Sequence, residues 1–300
     1  MRALRVRAFA KINLRLEILG QRQDGYHELR TIFQSISLHD TLVLRLERRS
    51  GIKLIVTGEP QLAAASGPDN LVYRAVKALR RELKLRAGVQ IELTKRIPVG
   101  RGLGGGSSDA AAALVGFLRL TRRKLPLARL AELAASLGAD VPFFLFGGRA
   151  LGVSRGDEIY PLPNQPSRAV LVVSPRDLAV RTKDAYRWIL SGARRRLTIR
   201  GKALKLWSFC ALCWSPQGGP LLNDFEPAVF ARHPRLARIK RELLRRGAVE
   251  AALAGSGSAV FGIFQNPAQA RRAAQRFPRD QVFVCKTLSR GEYRRAVGGV

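Results

Sequence analysis

Pro98-Val-Gly-Arg-Gly-Leu-Gly-Gly-Gly-Ser-Ser108 decides how this chain is read, because it places glycines at 100, 102, 104, 105 and 106. Glycine lacks a Cβ and tolerates positive φ, so successive amide N–H groups can turn toward one anion. Upstream, Val89, Ile91 and Leu93 alternate as in a strand with one buried face. Downstream, Ser107, Ser108 and Asp109 lead into the alanine-rich residues 110–114, which favour helix. The free N–H groups and positive dipole end of that helix would face the same anion. Strand, glycine loop and helix together predict a phosphate cradle made from backbone. A Walker A loop is excluded, since no lysine precedes Ser107 or Ser108. A dinucleotide-type GxGxxG fits at Gly100, Gly102 and Gly105, but it follows several strands rather than opening a βαβ unit. A plain glycine linker explains neither flank.

Working outward, Leu42, Leu44 and Leu46, then Ile52, Leu54 and Val56, repeat with period two and predict further strands. Val72, Val76, Leu79 and Leu83 follow helical spacing, with Asp69 or Asn70 as the cap. The helix after the loop should begin near Ser107 and turn Leu114, Phe117 and Leu118 inward. Another should start near Pro126, bury Leu127, Leu130, Ala134 and Leu137, and stop at Gly138. The stretch from Tyr160 to Ser167 carries three prolines and reads as a linker. Beyond it, residues 169–173 form a buried strand and 182–190 a helix. Leu236, Ile239 and Leu243 mark a helix ended by Gly247, and strands near 259–264 and 282–285 complete an α+β unit.

Composition bounds the answer. Apolar residues at 46% and charged residues at 25% suit a globular chain with a sizeable core. No apolar run approaches the ~20 residues of a membrane span, and no secretory signal opens the sequence. A soluble, cytoplasmic protein is the expectation. Cys210 and Cys213 form a CxxC, but no second pair or His couple accompanies it, so packed side chains are expected rather than zinc or redox chemistry. The net charge of +31 attracts polyanions. Its basic residues are spread along the chain in short clusters, including the stretch 194–205, so any nucleic-acid binding is expected to be non-specific.

Four segments carry a resemblance. They are Ala8-Phe-Ala-Lys-Ile-Asn-Leu14 with Gly25-Tyr-His27, the glycine loop, Leu137-Gly-Ala-Asp-Val-Pro-Phe143, and Ala254-Gly-Ser-Gly-Ser-Ala-Val-Phe261. In this order they resemble the GHMP kinase superfamily over roughly residues 8–287. The resemblance implies an α+β fold of two domains. An ATP-binding domain similar to a ribosomal-protein domain would span 1–160, a ferredoxin-like domain 161–300, and the active site would lie between them.

It further implies ATP as phosphate donor, Mg²⁺, and small-molecule substrates rather than a membrane partner. Asp140 would be the general base, and Lys11 would help activate the hydroxyl and the γ-phosphate. The phosphates would rest on Pro98, Val99, Gly100, Arg101, Gly102, Leu103, Gly104, Gly105, Gly106, Ser107 and Ser108. Ser108 is the candidate metal ligand, and Asn70, Leu71 and Lys95 resemble adenosine-pocket positions. Asn13, one strand alternation from Lys11, is placed to hold acceptor hydroxyls. Tyr26, His27, Thr182 and Tyr186 resemble a pocket in which two tyrosines sandwich cytosine and the histidine reads its edge. That points to the branch phosphorylating the 2-hydroxyl of cytidine-diphospho-methylerythritol in non-mevalonate isoprenoid synthesis. Homoserine or phosphomevalonate kinases would not need Tyr26, His27 and Tyr186 together. A basic nucleic-acid-binding protein is the rival from another class. Arg101 departs from the usual small residue, leaving a phosphate contact or a solvent-facing side chain open.

Overall fold

The computed structural model describes residues 3–58, 66–192 and 220–298. The basic stretch 194–205 and the Cys210/Cys213 pair lie outside the described residues. In chain order the elements are β1 (Ala3–Gln21), β2 (His27–Glu47), β3 (Ile52–Thr57), α1 (Leu71–Glu82), β4 (Gly88–Thr94), α2 (Gly105–Thr121), α3 (Leu127–Leu137) and α4 (Phe143–Phe146). They continue as β5 (Arg149–Val153), β6 (Glu158–Pro161), β7 (Ala169–Ser174), α5 (Thr182–Gly192), β8 (Leu222–Asn223), α6 (Glu226–Arg232) and α7 (Pro234–Arg245). The last are β9 (Glu250–Leu253), β10 (Val260–Phe264), α8 (Pro267–Ala274), β11 (Gln281–Lys286) and α9 (Arg290–Val297).

Two sheets organise these elements. The first runs β3-β4-β2-β1-β8, with β5 and β6 extending from β2, and is parallel only at β3–β4 and β1–β8. The second runs β11-β7-β10-β9 and is antiparallel throughout its described pairs. With α5–α7 leaving β7 and α8 joining β10 to β11, that strand order is the ferredoxin-like split arrangement. Helices α1–α4 and α9 cover one face of the first sheet around Val76, Leu114, Phe117 and Phe143. Helices α5–α8 cover the second sheet around Leu171, Leu236 and Phe264. The remaining faces meet through Ile12, Ile36, Val172 and Phe261. The order is therefore helix, sheet, sheet, helix, each layer burying an apolar face against the next.

A pairing irregularity in the β1–β2 hairpin switches β1 from one core to another. Val6 and Ala8 join the helix-side core, whereas Ala10 and Ile12, at the same parity, join the core between the sheets. The register shift between Phe9 and Lys11 separates these two sets. Such irregularities re-aim side chains, and this one precedes Lys11 and Asn13.

Several sequence expectations are corrected. Helix α2 starts at Gly105, ahead of Ser107, because the glycines themselves form its first turn. Leu127 is 48% exposed rather than buried, since it opens α3 before the helix reaches the core. Tyr160 and Pro161 belong to strand β6, paired with β5, and are not linker. Asn70 does cap α1, its side chain accepting from Val72 N at 2.8 Å. Phe117 is fully buried in the α2 face of the core. Phe117→Ala is therefore expected to cost about 3–5 kcal/mol in denaturant unfolding, with an unchanged m-value.

Candidate active site

A cavity of about 830 Å³ opens between the first sheet, the glycine loop, α5 and the turn at Gly255–Ser256. Its floor is β1. Lys11 and Asn13 are almost fully buried there, and Lys11 Nζ donates to Asn13 Oδ1 at 2.8 Å. Asn13 Nδ2 donates in turn to Thr31 Oγ1 at 2.7 Å, and that hydroxyl donates to Arg15 O. Both ends of the Asn13 amide are thus occupied, which fixes the direction in which Lys11 points. The Lys11 ammonium lies 3.4 Å from Asp140 Oδ2, whose side chain is 35% exposed and so faces the cavity. The Lys11 backbone N–H donates to Leu103 O at 3.0 Å, which ties the strand to the loop.

The loop has the predicted conformation. Gly100, Gly102 and Gly104 all have positive φ, and Gly104, at +70°, is the N-cap of α2 with no side-chain capping bond. The first N–H groups of α2 therefore have no cap side chain in front of them, the arrangement that binds anions. A Cβ at Gly104 would sit 2.8 Å from Phe144 Cζ and 3.0 Å from Lys11 Cγ, so glycine is needed for space as well as for φ.

Lys95 lies beneath the loop with its charge already committed. Its ammonium bonds Asp40 Oδ2 and, at 2.6 Å, Asp109 Oδ2. All three groups are buried. Asp40 Oδ1 also accepts from Ile97 N at 2.8 Å and from Arg96 N. Burial pushes the Asp109 carboxyl up to about 8, opposed by Lys95 and assisted by the neighbouring Asp40 charge. Within this triad Lys95 is driven upward by both carboxylates against the cost of burial.

The far end of the cavity is aromatic. His27 stacks on Tyr186 with ring centroids 4.3 Å apart and an 18° interplanar angle, and Tyr186 meets Phe225 edge-on at 4.9 Å. Burial lowers the His27 pKa, and its Nε2 is buried with no hydrogen-bond partner. Tyr26 is 55% exposed and carries the Arg155 guanidinium 4.9 Å from its ring centroid. Thr182 Oγ1 is 3.0 Å from Ser256 Oγ, joining α5 to the 254–258 turn.

All of the sequence-predicted residues except Asn70 and Ser108 line this one cavity. Asn70 caps α1 behind it, and the Ser108 hydroxyl is buried without a hydrogen-bond partner. The Arg101 side chain turns to Ser258 Oγ at 2.9 Å. Sequence reasoning missed Thr31, Phe33, Asp40, Asp109, Arg155 and Phe225. Asp40 had a usable signal, a lone acid inside an apolar-alternating strand, which must find a partner when buried.

Residues 70–148 match the model of the GHMP kinases N terminal domain, and residues 209–282 match that of the GHMP kinases C terminal. A 4-diphosphocytidyl-2-C-methyl-D-erythritol kinase from Solibacter usitatus is 43% identical, covering 96% of this chain and 90% of the relative. One from Pelotomaculum thermopropionicum is 42% identical, covering 94% and 97%. The chain belongs to the 4-diphosphocytidyl-2-C-methyl-D-erythritol kinase family of the GHMP kinases. A crystal structure of 4-(cytidine 5'-diphospho)-2C-methyl-D-erythritol kinase superposes with TM-score 0.76 at 34% identity, covering 95% of this chain and 99% of that one. A homoserine kinase from Cytophaga hutchinsonii shares the fold alone, at TM-score 0.69 and 19% identity, with 95% of each chain covered. The chain is thus a kinase, as its motifs implied, with ATP as phosphate donor. Among the described residues no helix is long and apolar enough to cross a membrane.

The Lys95 triad yields two expected outcomes. Lys95→Met leaves the buried Asp40 and Asp109 side chains without their shared cation and is expected to lose about 3–5 kcal/mol of stability by denaturant unfolding. Because Asp109 holds its proton more tightly when folded, folding takes up a proton between the ordinary value of 3.8 and about 8. The Asp109 contribution is therefore complete below the lower value and is lost as pH rises through the upper one. Stability measured from pH 5 to 8 should fall for the wild type and flatten in Asp109→Asn.

Proposed function

We propose that the chain transfers the γ-phosphoryl group of ATP to the 2-hydroxyl of 4-diphosphocytidyl-2-C-methyl-D-erythritol, with Asp140 as base and Lys11 as charge partner. The carrying observation is the Lys11–Asp140 pair at 3.4 Å, placed beside the glycine loop and tethered to it through Leu103. Phosphoryl transfer is mostly alignment and charge neutralisation, with little covalent work for the protein. The acceptor hydroxyl gives its proton to an Asp140 carboxylate oxygen as its own oxygen bonds to the γ-phosphorus. The bond from phosphorus to the bridging oxygen breaks, and ADP leaves with the electron pair. The Lys11 ammonium, aimed by Asn13, stands beside the oxygen on which charge develops. The loop backbone and the first turn of α2 hold the phosphates, while Leu71 and Lys95 line the donor side. We assign Lys95 a bracing role under the loop in addition to that lining.

Mg²⁺ takes few protein ligands beside phosphate oxygens; the cavity-facing Asp140 carboxylate, acting through water, and the partnerless Ser108 hydroxyl, which would have to turn out from behind the cavity lining, are the groups that would hold it. It would supply neutralisation of phosphate charge. The cytidine ring is assigned to the aromatic end, between Tyr26 and Tyr186, with the orphaned His27 Nε2 reading its edge. In the structure the His27 ring itself covers Tyr186, so the base must displace it. We also read the division into a donor domain over 1–160 and a second domain over 161–300 in this light, with α9 returning to the first core through Tyr293.

The decisive assay is transfer from labelled ATP to the cytidine compound, homoserine and phosphomevalonate, run with wild type and Asp140→Asn. Transfer to the cytidine compound alone is expected, with kcat lowered about 10²–10⁴-fold in the variant. Transfer to another alcohol would discard the cytidine pocket, and full activity in Asp140→Asn would discard the base. Since burial lowers the His27 pKa, the imidazole is neutral above its ordinary value of 6.5. The acceptor KM should therefore be flat from pH 6.5 to 8.5 and rise only in more acidic buffer, a dependence absent from His27→Gln.

A further inference from the structure

Arg101 is the one cationic side chain among residues 98–108, and its guanidinium is held by protein acceptors. Nη1 donates to Ser258 Oγ at 2.9 Å and Nη2 to Arg176 O at 3.1 Å. Ser258, fully buried, passes the contact on by donating to Leu178 O. The backbone repeats the link, for Ala259 N donates to Arg101 O at 3.2 Å. Contact here is close enough that a Cβ on Gly102 would lie 1.8 Å from Ala254 O. The glycine loop is therefore pressed against the 254–259 turn of the other half of the molecule. Residues 176–178, which receive the contact, lead into α5, the helix carrying Thr182 and Tyr186.

We propose that Arg101 is a positioning residue of the donor site, a brace holding the glycine loop in its phosphate-accepting shape before ATP arrives. Five glycines give the loop many conformations to lose on binding. A planar guanidinium with two fixed donors removes that freedom in advance, and pre-organised sites bind more tightly for that reason. The brace acts through the loop, so it governs ATP and leaves the acceptor untouched. The proposal rests on the reading that the loop holds the phosphates of ATP.

The experiment is calorimetric titration of the full chain with a non-hydrolysable ATP analogue and Mg²⁺, combined with acceptor KM from steady-state assays. Wild type, Arg101→Ala, Arg101→Lys, Ser258→Ala and the Arg101→Ala/Ser258→Ala double variant are compared. Arg101→Ala should weaken the analogue about tenfold, the scale of losing one charged hydrogen-bonded group, with the acceptor KM unchanged. Arg101→Lys should fail to rescue, because one ammonium does not reproduce the two-pronged contact. The double variant should be no weaker than Arg101→Ala alone. Unchanged affinity in Arg101→Ala, rescue by lysine, multiplying losses in the double variant, or an equal rise in acceptor KM would each overturn the brace. If wild type itself fails to bind the analogue, the ATP reading of the loop falls and the brace with it.

Discussion

The site depends on one buried ammonium shared by two buried aspartates. Lys95 follows β4, Asp40 belongs to β2 and Asp109 lies in the first turns of α2, so their contact pins two strands and a helix at the root of the glycine loop. Asp40 also takes the backbone N–H groups of Arg96 and Ile97, the residues through which the chain leaves the strand. Isolated buried charges are expensive, and a pair often gains little net stability once desolvation is counted. The arrangement is better understood as geometry than as stability. A glycine-rich loop holds no shape by itself, so its ends must be fixed by something rigid.

The same logic applies across the seam between the sheets. From below, the loop is held by the Lys95 triad and by the bond from Lys11 N to Leu103 O. From above, it meets the 254–259 turn through Gly102 and Arg101. The apolar contact of the two sheets around Ile12, Val172 and Phe261 sets the distance between these two supports. The reacting groups therefore inherit their spacing from a packed core, which deforms little. Lys11 shows the result, since its backbone touches the loop while its side chain touches Asp140.

Much of this was legible in the sequence because it is local. Five closely spaced glycines between an alternating strand and an alanine-rich helix predict a strand–loop–helix turn, and the structure has one, with α2 opening at Gly105. Asn70 as a cap and the burial of Leu236, Ile239 and Leu243 follow equally from short-range rules. Apart from the opening turns of α2 and α3, what failed was non-local. Tyr160 and Pro161 looked like linker because proline punctuates, yet β5 was there to pair with them. The irregularity that re-aims Lys11 depends on pairing with residues some two dozen positions away. The Lys95 triad joins residues 40, 95 and 109, a grouping that no window could hold. Asn13 is expected from sequence to hold acceptor hydroxyls; it lines the cavity, and its amide also engages Lys11 and Thr31, contacts visible only once β1 and β2 are paired.

The two ends of the cavity differ in a way that bears on selectivity. At the glycine-loop end Lys11 and Asn13 find protein partners, and the loop backbone with the uncapped start of α2 forms a preformed surface. At the aromatic end His27 Nε2 is buried and unpaired while its ring covers Tyr186, a state with a penalty that a ligand relieves if it displaces the ring and bonds that nitrogen. A ligand offering a hydrogen bond there is favoured by removing that penalty, and an isosteric ligand lacking it is rejected by leaving it in place. Sites built around such a group discriminate more sharply than apolar pockets do. Stacking on Tyr186 adds affinity to any flat ring and therefore little choice among rings. On the proposed assignment the choice of base falls to a single imidazole edge, whose pKa burial lowers.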